Sequence, residues 1–175
     1  MPDAAGPSPV PATPPLCQVA ASVADLERTH AWYRDVLGYR PAGGTRLFRG
    51  PLASRVQGLP RAASTCWWLG DAQDRFQLEL FGFHRPRARP FASRRRPCDI
   101  GYTTLGVAVA DLDAALARSD RAGTPALTDP VGEPGARRVC VRDPDGVLVE
   151  LMEVDPRGPA PGPGPAPGSR SPPGS

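Results

Sequence analysis

The stretch VRDPDGVLVELME, residues 141–153, decides how the rest of the chain is read. Two apolar runs of the kind that form strands meet at a Pro-Asp-Gly turn. Pro144 presets φ and Gly146 permits the positive φ that closes a hairpin. The second run sets Glu150 among Val, Leu and Met. A carboxylate in a half-buried strand must lie beside a cation, take up a proton, or turn to water. A calcium loop is another reading of Asp-Pro-Asp-Gly, but the further oxygen ligands of an EF-hand do not follow it.

The chain upstream of this hairpin says the same thing twice. VAASVADLERTHAWYRDVLG (19–38) has a shorter echo in GVAVADLDAALARSDRAG (106–123). Both contain VADL and both run strand, Asp, helix, Gly. Asp25 and Asp111 stand where helix N-caps belong. Leu26, His30, Tyr33 and Leu37 follow at helical spacing, as do Leu112, Ala115, Leu116 and Ser119. Gly38 and Gly123 are placed to end the helices. After the first helix the pattern predicts strands at 45–50, 64–70 and 75–83. After the second it predicts a short strand near 125–128, then 137–142 and 147–154. Each half therefore reads β-α-β-β-β, and each puts a glutamate at one point of its last strand, Glu79 in QLEL and Glu150 in LVEL.

These motifs, VADLERTHAWYRDVLGY in the first half and VAVADLDAALA with VRDPDGVLVELME in the second, resemble the vicinal oxygen chelate superfamily. That superfamily includes glyoxalase I, extradiol dioxygenases, fosfomycin-resistance enzymes and bleomycin-binding proteins. The resemblance covers residues 16–154 and implies an α+β fold, two βαβββ modules forming a curved mixed sheet around a cavity. The implied division is a Pro-rich tail (1–15), a first module (16–83), an Arg/Pro-rich linker (84–100), a second module (101–154) and a Pro/Gly-rich tail (155–175).

The resemblance also implies a site. Metal ligands in this superfamily come from the first and last strands of each module, the first-strand position lying seven residues before the capping Asp. Carried onto this chain, the quartet is Gln18, Glu79, Thr104 and Glu150. Gln with two Glu is similar to one glyoxalase I pattern, where the fourth ligand is His. Thr104 is the departure, because a neutral hydroxyl is a poor ligand for Zn²⁺, Ni²⁺ or Co²⁺. Oxygen-rich ligands also admit Mn²⁺ or Mg²⁺. The alternative is that the two carboxylates share a proton, hold water or meet an Arg, with no metal. Extradiol chemistry is excluded, since neither His30 nor His84 falls at a ligand position. The resemblance leaves two functions open. One is a metal-dependent lyase or isomerase acting on a small carbonyl compound, with Glu150 as catalytic base. The other is a non-catalytic small-molecule binding protein of the bleomycin-resistance type. It leaves the modules free to pair within one chain or across a homodimer.

Composition narrows the classes further. Every basic residue is Arg, which removes Schiff-base and P-loop lysines. Two histidines cannot build a three-His zinc site. A net charge of +3 is too mild to indicate nucleic acid. No apolar run approaches the ~20 residues of a membrane helix, and the N-terminus lacks a signal-peptide pattern, so the expected location is cytoplasmic. Cys17, Cys66, Cys98 and Cys140 form no CxxC pair and read as reduced structural thiols.

Other residues carry two readings each. Alternation sends Trp67 and Trp68 to opposite faces. If residues 71–74 close a hairpin, Trp68 lies opposite Gln77, shares the face of Glu79 and joins Gln77 in walling a substrate cavity; ordinary core packing is the other reading. His30 reads as a core or boundary histidine on the sheet side of its helix. The linker segment 84–97 holds six arginines, which either attract an anionic substrate or simply solvate a loop.

The 24 prolines and 19 glycines concentrate at the two ends, where no apolar period exists to offset ordering entropy. Deleting residues 155–175 should therefore leave the melting temperature almost unchanged in a thermal scan. A drop of several degrees would show that the segment docks.

Overall fold

The computed structural model describes residues 16–72, 77–90, 96 and 98–154. The proline-rich ends, 1–15 and 155–175, and part of the Arg-rich linker lie outside the described residues.

The first module runs β1 (Gln18–Val23), α1 (Leu26–Leu37), β2 (Arg40–Arg49), α2 (Pro51–Gln57), β3 (Ala63–Gly70) and β4 (Gln77–Arg85). The second runs β5 (Leu105–Val109), α3 (Leu112–Arg121), β6 (Arg138–Arg142) and β7 (Leu148–Glu153). The fold is α+β, with two βαβββ-like modules. In each, the first strand pairs parallel with the last, giving sheet orders β1-β4-β3-β2 and β5-β7-β6.

The helix starts are those the two Asp residues dictate. Asp25 accepts from the Arg28 N–H at 3.0 Å and Asp111 from the Ala114 N–H at 2.9 Å, each satisfying one of the free amide donors of a first turn. Gly38 ends α1 in the left-handed region at φ 77°, its N–H returning to the Arg34 carbonyl. In the second module α3 stops at Arg121, and Gly123 takes the left-handed turn just beyond it at φ 76°.

Four details differ from the sequence reading, the first being that β2 starts at Arg40 rather than 45. The strand expected near 125–128 is absent. In its place a coil lies along β6, touching it through the Leu127 N–H on the Cys140 carbonyl at 2.9 Å and one bridge between Val131 and Arg138. Pro125 and Pro130 explain the loss, since each removes an N–H that a ladder would use. The short helix α2 was not foreseen; Pro51 at its first position starts it, and only Ala53 of its residues is buried. Finally, Trp68 pairs with Glu79 and Gly70 with Gln77, the first residue of β4, while positions 75 and 76 of the expected strand lie outside the described residues. The register has moved by two residues. An even shift leaves every side chain on its expected face.

One apolar core joins the modules. Trp32, Tyr33 and Val36 of α1 meet Leu69, Leu78 and Leu80 of the first sheet and Leu112, Val141, Val149 and Leu151 of the second module. Gly82 is required for this seating: a Cβ there would lie 2.7 Å from Leu26 Cδ1, so only glycine lets the start of α1 approach β4.

The hairpin turn 143–146 is itself clamped onto α1. The Asp143 carboxylate accepts from the N–H groups of Asp145 (2.9 Å) and Val147 (2.8 Å) and from the Tyr33 hydroxyl (3.1 Å). Burial, then the Asp143 charge, holds the Tyr33 hydroxyl well above its usual range, which keeps it a donor. Asp145 accepts from the Ala24 N–H (2.9 Å), from Arg28 (3.2 Å) and from the Thr29 hydroxyl. Trp32 Nε1 donates to Thr124 Oγ1 at 2.7 Å and Arg118 Nε to the Val36 carbonyl at 2.8 Å, extending the same seam.

Asp145→Ala strips three donors of their acceptor, one of them on fully buried Thr29. The expected loss is about 1–3 kcal/mol, read as a melting temperature lowered by several degrees. Asp35→Ala, which breaks an exposed pair with Arg34, should change it little. Equal effects from both substitutions would contradict the clamp.

Candidate functional site

The face of the first sheet turned away from α1 is set by alternation. Leu69, Leu78 and Leu80 point to the helices, so Trp68, Glu79 and Phe81 point to the other side, and β1 adds Gln18 there through its parallel register with β4. On this face Glu79 is only 6% exposed. Its Oε2 accepts from Gln18 Nε2 at 2.8 Å and its Oε1 from Trp68 Nε1 at 2.8 Å. Both donors are neutral. The carboxylate is buried with hydrogen bonds and, among the described residues, without an Arg, so its charge is spread over two N–H groups rather than cancelled. Phe81 and Phe83 stack beyond it, with ring centroids 5.8 Å apart.

Glu150 has a different setting. It lies on β7, opposite Gly106 and Cys140, and Arg138 Nη1 approaches its Oε1 at 3.7 Å. The side chain is 29% exposed. Of the three fates open to a carboxylate in that strand, this one takes a cation at a partly wet rim. Burial, and then the negative charge of Glu150, raise the Cys140 thiol.

Of the four quartet positions, Gln18 and Glu79 meet directly. Thr104 is exposed, just ahead of β5, and Glu150 is engaged by Arg138 on the second sheet. Among the described residues no three His, Cys, Asp or Glu side chains come together in a way that could hold a metal ion. Each of the two carboxylates has another partner among the described residues, Glu79 with Gln18 and Trp68 and Glu150 with Arg138. Gln77, the other proposed cavity residue, begins β4 beside Gln18 and opposite Gly70, and donates its N–H to the Cys17 carbonyl at 2.9 Å.

The sequence reading missed an open hollow of about 290 Å³ at the β2–β3 edge, lined by His30, Pro41, Gly43, Trp67 and Trp68. His30 and Trp67 meet edge to face, with centroids 5.1 Å apart. Burial, and then the Arg34 charge, lower the His30 pKa below its usual value. The signal available was the pair of adjacent tryptophans opposite a Pro-x-Gly-Gly segment, where missing side chains leave ring surface uncovered.

The glyoxalase/bleomycin resistance protein/dioxygenase superfamily model matches residues 16–151. A search of curated proteins gave no match. Among solved structures the chain is similar to a glyoxalase family protein from Bacillus cereus, at TM-score 0.72 and 20% identity over 78% of this chain and 91% of that one. It is also similar to the trypanothione-dependent glyoxalase I of Leishmania major, at TM-score 0.55 and 20% identity over 82% and 88%. An antibiotic binding protein from Streptomyces matches at TM-score 0.54 and 18% identity, over 82% and 98%. At these identities the likeness carries the fold. No helix among the described residues is long and apolar enough to cross a membrane.

Trp68→Phe keeps a ring on this face but removes one of the two donors to buried Glu79. Stability should fall by about 1–3 kcal/mol, and adding Glu79→Gln should recover part of the loss, because a neutral amide costs less to leave half-bonded. Additive losses in a double-mutant cycle would show that Trp68 and Glu79 are not coupled.

Proposed function

This chain belongs to the glyoxalase/bleomycin resistance protein/dioxygenase superfamily, and from that premise we propose that it is a small-molecule binding protein whose site is the open face around Gln18, Glu79 and Trp68. The observation that carries the reading is the state of Glu79. Both of its oxygens are taken by neutral donors, and one of those bonds fixes the Trp68 ring as a wall. A carboxylate used in this way orients an aromatic surface and supplies a fixed charge beside it. A mostly apolar concavity with a few placed polar groups is the usual form of a ligand site. The fold likeness to an antibiotic binding protein is consistent with this use of the face.

A second reading is favoured by one observation. Gln18 and Glu79, the first-module half of the quartet, already meet at 2.8 Å. If a second copy of the chain brought its Thr104 and Glu150 to them, the homodimer would assemble a site for a divalent ion such as Ni²⁺, Zn²⁺, Co²⁺, Mn²⁺ or Mg²⁺. The protein would then be a lyase or isomerase acting on a small carbonyl compound, with Glu150 as the general base. A bound ion would supply Lewis acidity; this chain's own contribution would be a carboxylate able to accept and return a proton.

Calorimetry separates the two. For a binding protein, Mn²⁺, Ni²⁺ and Zn²⁺ should leave the melting temperature unchanged, Glu150→Gln should not alter ligand binding, and Glu79→Gln should. For the enzyme, the ions should raise the melting temperature, and either substitution should remove that gain. Failure of every member of a library of small aromatic, cationic and carbonyl compounds to shift the melting temperature would overturn the binding reading.

A further inference from the structure

We propose that the hollow walled by Trp67, Trp68, His30 and Pro41 is a subsite for an organic cation, a quaternary or methylated ammonium group carried by the ligand. The inference rests on the binding reading above and names the class of molecule bound.

Four features converge on it. The first is the shape of the walls. His30 and Trp67 stand at 86° to one another, and Trp68 adds a further aromatic surface to the same hollow of about 290 Å³. Ring faces meeting at a corner attract a soft, weakly hydrated cation through their quadrupoles.

The second is Gly43. A Cβ at that position would come within 3.1 Å of Trp68 Cε3, so any other residue would crowd the ring that borders the hollow.

The third is the charge behind the ring. Trp68 donates its indole N–H to Glu79 at 2.8 Å, and a carboxylate on that proton pushes electron density into the ring system. Among the described residues no Arg pairs with Glu79, whose oxygens take only the two neutral donors, so a ligand cation would supply a counter-charge there. A neutral ring would use the tryptophan walls and leave that charge unanswered; an anion would be repelled by it.

The fourth is what does not stand in the way. His30 is held toward its neutral form by burial. Arg34, whose charge acts on His30, is paired with Asp35 at 2.7 Å and 2.9 Å.

The experiment titrates the full chain with choline and with 3,3-dimethyl-1-butanol, its uncharged isostere, following tryptophan fluorescence and calorimetric heat. Choline should bind at least about tenfold tighter, the scale of one desolvated cation–ring contact. Glu79→Gln should reduce that preference several-fold, weakening choline more than the alcohol. Gly43→Ala should weaken both ligands. If Gly43→Ala fails to fold because of its φ of 130°, Trp67→Leu serves the same purpose, since it removes a wall without touching Glu79. Equal affinity for the two isosteres overturns the cation assignment and leaves the binding reading intact. A preference for choline that survives Glu79→Gln unchanged also overturns it, because the charge would then come from elsewhere. Binding of neither isostere overturns it too, and the compound library decides whether the binding reading falls with it.

Discussion

The structure depends on two carboxylates in one hairpin turn. Asp143 and Asp145 face a helix more than a hundred residues away in sequence, and between them they accept from Ala24, Arg28, Thr29 and Tyr33. Without that seam the two sheets share no hydrogen-bonded strands, since β1-β4-β3-β2 and β5-β7-β6 are separate. The apolar core between α1 and α3 supplies area, but area is non-directional. The turn supplies the register. It fixes how α1 lies over the second module, and through α1 it positions the sheet that carries Glu79.

The two modules have diverged around a common plan, and the divergence falls on the site. Their glutamates occupy equivalent strand positions, yet one is buried among neutral donors and the other sits at a rim beside Arg138. Neighbours explain the contrast. β4 is an inner strand covered on both edges, with Trp68 on one side and Gln18 near the other. β7 is flanked by β5, which offers Gly106 and Ala108, and by β6, which offers Arg138 and Cys140. Small residues on one side leave Glu150 room for water, and the Arg gives it a counter-charge.

The fold could be read almost whole from the sequence because its signals are local and repeated. A capping Asp, a helical period, a closing Gly and alternating strands each depend on a handful of neighbouring residues. The strand near 125–128 was over-read: Ala126 and Leu127 satisfy an apolar pattern, but Pro125 and Pro130 deny the ladder its donors. The Trp68 register was off by two because Gly70 pairs with Gln77 rather than with residue 75. The site was harder to see. That Gln18 would come near Glu79 was implied by the family resemblance, whereas the indole bond to Glu79 needs the true register. The Arg138 partner of Glu150 needs the cross-strand diagonal. The hollow needs the absence of side chains at Gly43, which no pattern of apolar residues announces.

The parallel pairing of first and last strands has a consequence for how the chain matures. Gln18 and Glu79 are 61 residues apart, and the seam to Asp145 spans 121. Closing such loops costs entropy before any contact returns it, so these pairings form late in folding. During synthesis β1 emerges first and has no partner until β4 is complete, and the part of the α1 core that meets the second module waits for Val141, Val149 and Leu151. The Gln18–Glu79–Trp68 cluster therefore exists only in a chain that has closed its first module. Ligand held there would report a finished molecule, and would favour it over every unfinished one.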